Sequence, residues 1–387
     1  MYERSEDLPA SLPLSALWEI DWAALRDAYG PASAVPQLIT DLTLGPERRK
    51  RAEWELYGNV FHQGTVYEAS PFTIPFLVGL LAFADLRLGL LQRLLSMAIG
   101  YEESVFPNGV DLAARQDEQR RLDASNQRFG VDAVRTHEAV TRAWEQIIRL
   151  LDDSDPEVRA ETAHLVAYLP GEAERSITEI QKRLRTEDAA SSSFLLALAV
   201  LGRTSHRAID VTLPDIVGRA LDVRIAQSCA RSLLGYDQAI DELVGLMGED
   251  LPPIGTWLDG STITIVTASM AAHEGWPTME RIESIGRHLC AAPWTQAPWL
   301  AGIMLEGTMN GVPLPHSVDD LSAEQTACLK ALLSATAWTV NGAVNVNWAD
   351  QLDAFLVPSR REDLESYLGG ATLRSCLSPH QAKQLAT

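Results

Sequence analysis

Residues 150–169, Leu-Leu-Asp-Asp-Ser-Asp-Pro-Glu-Val-Arg-Ala-Glu-Thr-Ala-His-Leu-Val-Ala-Tyr-Leu, decide the fold. Asp155 offers a side-chain oxygen to the free N–H groups of a following turn. Pro156 suits the first helical position, where its missing N–H costs nothing, and Glu157 favours the positive end of the helix dipole. A helix therefore begins at Pro156. Val158, Thr162, Leu165, Val166 and Leu169 recur at helical spacing and form the packing stripe. Glu157, Glu161, His164 and Tyr168 form a neighbouring polar stripe. The pattern predicts one packed face and one face open to a ligand, with Glu161, His164 and Tyr168 as candidate binding residues.

Working outward, Leu151 to Leu184 is a step of 33 residues and Leu184 to Leu221 one of 37, each leucine ending a first helix that leads into a second. The second unit runs from Ile177-Thr-Glu-Ile-Gln-Lys-Arg-Leu through Ser193-Phe-Leu-Leu-Ala-Leu-Ala-Val-Leu-Gly. The third runs from Leu213-Pro-Asp-Ile-Val-Gly through Val223-Arg-Ile-Ala-Gln-Ser-Cys-Ala-Arg-Ser-Leu-Leu-Gly. Gly202 and Gly235 are expected to end the second helices in left-handed conformation. Upstream, Val35-Pro-Gln-Leu-Ile-Thr-Asp-Leu and Ile74-Pro-Phe-Leu-Val-Gly-Leu-Leu lie 39 residues apart and read as one element written twice. Periods of this size mark stacked helical repeats.

These phrases resemble bacterial HEAT-repeat proteins of the armadillo type, closely over Ala143 to Gly235 and more loosely over Pro36 to Gly100. Leu56-Tyr-Gly-Asn-Val-Phe-His-Gln-Gly-Thr-Val-Tyr-Glu-Ala-Ser-Pro is similar to a phrase of actinobacterial HEAT-repeat proteins. The resemblance implies an all-α fold, an α-solenoid of helical hairpins with an irregular C-terminal cap. It carries no reaction. Related solenoids act mostly as scaffolds or binding surfaces, although some are DNA glycosylases, bilin lyase subunits or deoxyhypusine hydroxylases.

The expected organisation is one continuous solenoid over 1–387. Residues 30–100 hold N-terminal units, 101–135 an insertion, 136–245 the clear repeats and 246–387 degenerate repeats and a cap. The insertion is rich in Asp, Glu, Gln, Asn and Arg and is interrupted by Pro107-Asn-Gly-Val. It reads as a solvated loop with a weak helix from about Asp111 to Asn126, or as a lid over the concave surface. Past Gly245, Leu251-Pro-Pro-Ile-Gly and Gly311-Val-Pro-Leu-Pro break the pattern, while 262–272, 323–337 and 360–368 keep helical character.

With 387 residues, 46% of them hydrophobic, the chain can bury a large core. Cys229, Cys290, Cys328 and Cys376 have no close pairing and sit among apolar neighbours, which fits reduced thiols and a cytoplasmic setting. The first residues lack the basic and apolar segments of a signal peptide. Apolar windows such as 72–84 are too short to span a bilayer, so no membrane partner is expected. A formal net charge of −20 works against nucleic acid, whose affinity comes largely from Lys and Arg neutralising phosphates.

The densest polar and aromatic cluster is Trp54, Tyr57, Asn59, His62, Gln63, Tyr67 and Glu68, around a turn at Gly64. It reads as a ligand pocket in which His62, Glu68 and Tyr67 would be the proton-transfer or orienting groups. The plainer alternative makes His62 and Gln63 caps of free carbonyls and Tyr57 and Tyr67 plugs between hairpins. His137-Glu138 and His273-Glu274 are similar to the pairs that hold two irons in deoxyhypusine hydroxylase, but that pattern needs four pairs. No metal and no cofactor is expected. Trp257, Trp276, Trp294, Trp299, Trp338 and Trp348 bunch toward the C-terminus, as core filling or as an aromatic groove. No phosphate loop, nucleophile elbow, His-Glu-x-x-His or dinucleotide fingerprint occurs.

Two functions fit. One is a binding module or scaffold, of adaptor or immunity type, holding a protein or peptide of basic character on the concave face. The other is a small-molecule-binding protein or enzyme whose pocket lies near the N-terminal units and the 101–135 insertion.

Overall fold

The computed structural model describes residues 2, 4–124, 131–213, 215–247, 250–309, 312–340 and 343–385. The fold is all-α. Among the described residues, strands occur only as three two-residue antiparallel ribbons. The chain forms two compact units, Met1–Val211 with Gly255–Leu258, and Thr212–Ile254 with Asp259–Thr387.

In the first unit, a ribbon of β1 (Arg26–Asp27) and β2 (Gly30–Pro31) precedes α1 (Val35–Asp41) and α2 (Pro46–Val60). A second ribbon, β3 (Phe61–His62) with β4 (Thr65–Val66), leads into α3 (Ser70–Leu80) and α4 (Arg87–Ile99). Helix α3 is apolar all round and correspondingly buried, with Phe72, Ile74, Phe76, Leu77, Val78 and Leu80 all in the core. Pro75 denies its helix an N–H, but its carbonyl accepts from the Leu12 N–H at 2.9 Å.

Helices α5 (Leu112–Ala124), α6 (Val131–Arg142), α7 (Trp144–Ile147), α8 (Pro156–Ala167), α9 (Ala173–Leu184) and α10 (Ser191–Thr204) complete this unit. The start of α8 follows the sequence. Asp155 is its N-cap and accepts from the Glu157 N–H at 2.9 Å, with Pro156 in the first turn. Helix α8 packs against both α4 and α10. The turns before two of these helices are tied to the helix alongside: Arg87 of α4 pairs with Asp153, and Arg159 of α8 grips Glu187 with two hydrogen bonds of 2.7 and 2.9 Å.

The second unit contains α11 (Leu221–Leu233), α12 (Asp237–Leu246), α13 (Thr262–Ala271), α14 (Met279–Ala291), α15 (Ala297–Met309), α16 (Ala323–Ser334), α17 (Val346–Ala354) and α18 (Arg361–Leu368). Helices α11, α13, α15 and α17 pack in sequence in one row, and α12, α14, α16 and α18 in another. The third ribbon, β5 (Thr339–Val340) with β6 (Ala343–Val344), lies before α17, and α19 (Leu373–Cys376) and α20 (Pro379–Gln384) follow α18.

Several expectations need correction. Gly202 is buried inside α10, and the left-handed residue beyond that helix is His206 (φ 52°); Gly235 does take the left-handed conformation, at φ 88°. Among the described residues of the run from Leu213, the one helical element is the 3-10 turn Ile216–Gly218, too few residues to close α-helical hydrogen bonds. Within 101–135, α5 matches the expected weak helix as far as Ala124, and Asn126 lies outside the described residues. The loop before α5 is not solvated throughout: Val105, Phe106 and Val110 are buried. Trp257, Trp276, Trp338 and Trp348 are core residues, whereas Trp294 and Trp299 stand exposed.

Candidate functional site

The 54–68 cluster is assembled by α2 and the β3–β4 ribbon. Phe61 pairs with Val66 and His62 with Thr65, leaving Gln63 and Gly64 as a two-residue turn with φ of 49° and 79°. Two consecutive positive φ values match the right-handed twist of the flanking strands, and only glycine takes them without strain. Gly64 is required for a second reason: a Cβ there would lie 2.3 Å from the Tyr101 ring.

Tyr101 and Tyr29, neither evident from the sequence, complete the patch. Tyr29 meets His62 edge-on with ring centroids 5.8 Å apart, and its hydroxyl reaches over Gly58. Trp54 sits one helical turn before Gly58 on the same face of α2. Trp54 is 80%, Tyr29 72% and Tyr101 56% exposed, so three large rings present their surface to solvent in one neighbourhood.

The other residues of the cluster are engaged from behind. Tyr57 packs on Phe61 and lies beneath the Arg93 guanidinium, 4.0 Å from ring centroid to Cζ. Burial pushes its hydroxyl up, opposed by hydrogen bonds from Ser96 and Arg93 and by the charge of Arg93. The Asn59 carbonyl accepts from the Ala28 N–H at 2.9 Å. The Tyr67 N–H donates to Ser70 Oγ at 2.7 Å, and burial raises its phenol, with Tyr29 and Asp27 adding to the effect. Glu68 accepts from the Arg26 N–H at 3.2 Å. No hydrogen bond or ion pair among the described residues joins His62 to Glu68 or Tyr67, so the expected proton-transfer set is a neighbourhood and not a relay.

The α8 stripe is the opposite case. Glu157 remains exposed, but Glu161 and His164 are 1% exposed and Tyr168 is fully buried, so the predicted open face is covered. Two distant segments cover it. Glu102 brings Oε1 to 2.6 Å from His164 Nε2 and accepts from the Tyr168 hydroxyl at 3.0 Å on the same oxygen. Its Oε2 accepts from the Leu258 N–H at 2.8 Å. Thr256 Oγ1 lies 3.2 Å from His164 Nδ1 and donates to Glu161, whose other oxygen is 3.6 Å from the same nitrogen. Trp257 stacks on the imidazole with centroids 4.0 Å apart and donates its indole N–H to Ser193 at 3.2 Å.

This geometry holds His164 as a cation. Burial alone would lower its pKa, but the charges and hydrogen bonds of Glu102 and Glu161 outweigh it and lift the group to about 9. Tyr168 is driven up, by burial first and then by Glu102, and serves as a fixed hydrogen-bond donor. Leu258 and the following Asp259 take φ of 46° and 55°, a conformation that side chains other than glycine rarely adopt. The cluster is a closed ion set that fastens residues 102 and 256–258 onto α8.

The His-Glu pairs do not assemble. His137 and His273 are buried while Glu138 and Glu274 are exposed, so the two members of each pair face apart. His137 Nδ1 lies 3.2 Å from the Ala98 carbonyl, and burial lowers the ring to about 4. His273 Nδ1 accepts from the Gly275 N–H at 2.8 Å. No group of three metal-ligating side chains occurs among the described residues.

The chain matches no protein-family model, and neither curated proteins nor solved structures show significant similarity to it.

Proposed function

We propose that the protein is a binding module, built as a HEAT-type helical repeat, whose partner is a protein or peptide segment of basic character. The observation that carries this reading is the exposed aromatic patch of Trp54, Tyr29 and Tyr101 around the β3–β4 ribbon. Large rings left in water on a folded surface mark an interaction site, and Trp and Tyr are the residues that most often dominate interface energetics. The charge of −20 favours a cationic partner and disfavours nucleic acid, and Lys or Arg side chains gain further by stacking over open rings. Glu161, His164 and Tyr168 are withdrawn from the contact surface because they are buried. The four cysteines are unpaired, and Cys229 and Cys328 are pushed up to about 12 by burial, which supports a reducing, cytoplasmic setting.

The test is a calorimetric screen of Arg- and Lys-containing peptides against the wild type and against Trp54→Ala and Tyr29→Ala. Loss of one central aromatic should weaken a bound peptide by about 2 kcal/mol, roughly thirtyfold. Equal binding by both variants, or submicromolar, salt-dependent binding of duplex DNA, would overturn the reading.

A further inference from the structure

Residues of α2 and α4, with Leu42, Leu77 and Leu86, line a cavity of about 190 Å³. Its inner wall is apolar: Leu42, Leu56, Val60, Leu77, Leu90 and Met97, every one buried. Its polar lining consists of Glu53, Tyr57, Gln92 and Arg93. The volume exceeds the roughly 150 Å³ at which an apolar protein cavity accepts benzene, and falls short of the roughly 300 Å³ at which drug-sized sites begin. A ligand with six to ten or so heavy atoms is the size that fits.

The chemistry of the lining selects among such ligands. Arg93 is exposed, but its guanidinium is held over the Tyr57 ring at 4.0 Å and so is positioned by stacking, and among the described residues it forms no ion pair. Glu53 is also unpaired and, like Arg93, exposed, but no contact among the described residues orients its carboxylate as Tyr57 orients the guanidinium. A fixed planar cation beside an apolar pocket is the arrangement that takes a carboxylate end-on while the body of the molecule is desolvated. Gly89 lies on the lining three residues into α4, and a Cβ there would meet nothing within 4 Å. In a helix, glycine costs about 1 kcal/mol relative to alanine, and here, at an exposed position, its absent side chain leaves the rim of the cavity open.

From these features we infer that the cavity between α2 and α4 binds a small carboxylic acid with an apolar body, such as a short-chain fatty acid or an arylacetic acid, with Arg93 receiving the carboxylate. The site does not depend on the peptide-binding reading, and Trp54 is not part of its lining.

The full chain is titrated calorimetrically with hexanoate, phenylacetate, hexan-1-ol and hexylamine. Hexanoate or phenylacetate should bind with a Kd on the order of 0.1 mM, and the alcohol at least tenfold more weakly. Arg93→Gln should raise the Kd of the acid at least tenfold, Arg93→Lys should retain part of the affinity, and Trp54→Ala should leave it unchanged. Gly89→Leu should fill the cavity and abolish binding; because it enters open space, its melting temperature should stay at or above that of the wild type. The inference is overturned if neither acid binds saturably, if the alcohol matches the acid, or if Arg93→Gln has no effect. Tighter binding of hexylamine would assign the polar end to Glu53 and equally overturn it.

Discussion

Two parts of the first unit use almost the same side chains to opposite ends. Around the β3–β4 ribbon, His62, Glu68, Tyr67 and Trp54 remain wholly or partly open to water. On α8, Glu161, His164 and Tyr168, with Trp257 brought in from outside, are sealed. Residue type does not separate them; the covering chain does. The open patch is completed by Tyr29 and Tyr101, which touch its rim and leave its rings exposed. The sealed cluster draws partners from 62, 92 and 156 positions away along the chain, and these exclude water from Glu161 and the imidazole and most of it from Glu102. A charged group that stays wet contributes little to stability and remains available to a ligand. Sealed with its counter-charges, it becomes indispensable to the fold.

The largest expected effect tests the sealed side. His164→Ala or Glu102→Ala leaves an uncompensated buried charge and should cost about 3–5 kcal/mol in urea unfolding. The double variant His164→Leu with Glu102→Leu should cost less than the two single losses combined, because neither charge is then stranded. A loss under about 1 kcal/mol for either alanine variant would mean that the cluster does not fasten residues 256–258.

The pH dependence is next in size. His164 titrates near 6.5 when unfolded and at about 9 when folded. Its contribution is complete below pH 6.5 and fades as pH rises to 9, by on the order of 3 kcal/mol. His137 has the opposite sign: its folded value of about 4 means that stability declines as pH falls from 6.5 toward 4. Denaturant midpoints measured from pH 4 to 10 should therefore peak near 6.5. A curve that stays flat between 6.5 and 9.5 would contradict the charged state assigned to His164.

Effects on the open side should be small in stability and large in binding. His62→Ala, Glu68→Ala and Trp54→Ala should each change unfolding free energy by about 1 kcal/mol or less, a shift of a few degrees at most in Tm. If His62→Ala or Glu68→Ala instead removes several kcal/mol, the ribbon is a structural plug and the contrast between the two regions collapses.

The contrast also shows where sequence legibility stopped. The α8 start was readable because Asp155 and Pro156 act within one turn, and Gly235 because a left-handed helix end is a local requirement. Gly202 misled because a glycine inside a buried helix and one at a helix end look alike without their neighbours. The polar stripe of α8 carried the right spacing and the wrong environment, since periodicity records which residues share a face and not what is laid over it. Tyr29 and Tyr101 joined the aromatic cluster through tertiary contact, which no spacing rule encodes. The cavity was invisible for a similar reason: its walls, among them Leu42, Leu56, Leu77 and Leu90, come together from separate elements.

Gly255–Leu258 belongs to the first unit by packing, yet on both sides it continues into sequence of the second. This fixes an order of events during synthesis. Ninety-two residues separate His164 from Thr256, so at about 5–20 residues per second the ribosome needs roughly 5–18 s to supply the segment that dries the imidazole. For that interval Glu102, Glu161 and His164 stay hydrated, and the charged heart of the first unit closes only after the chain has entered the second.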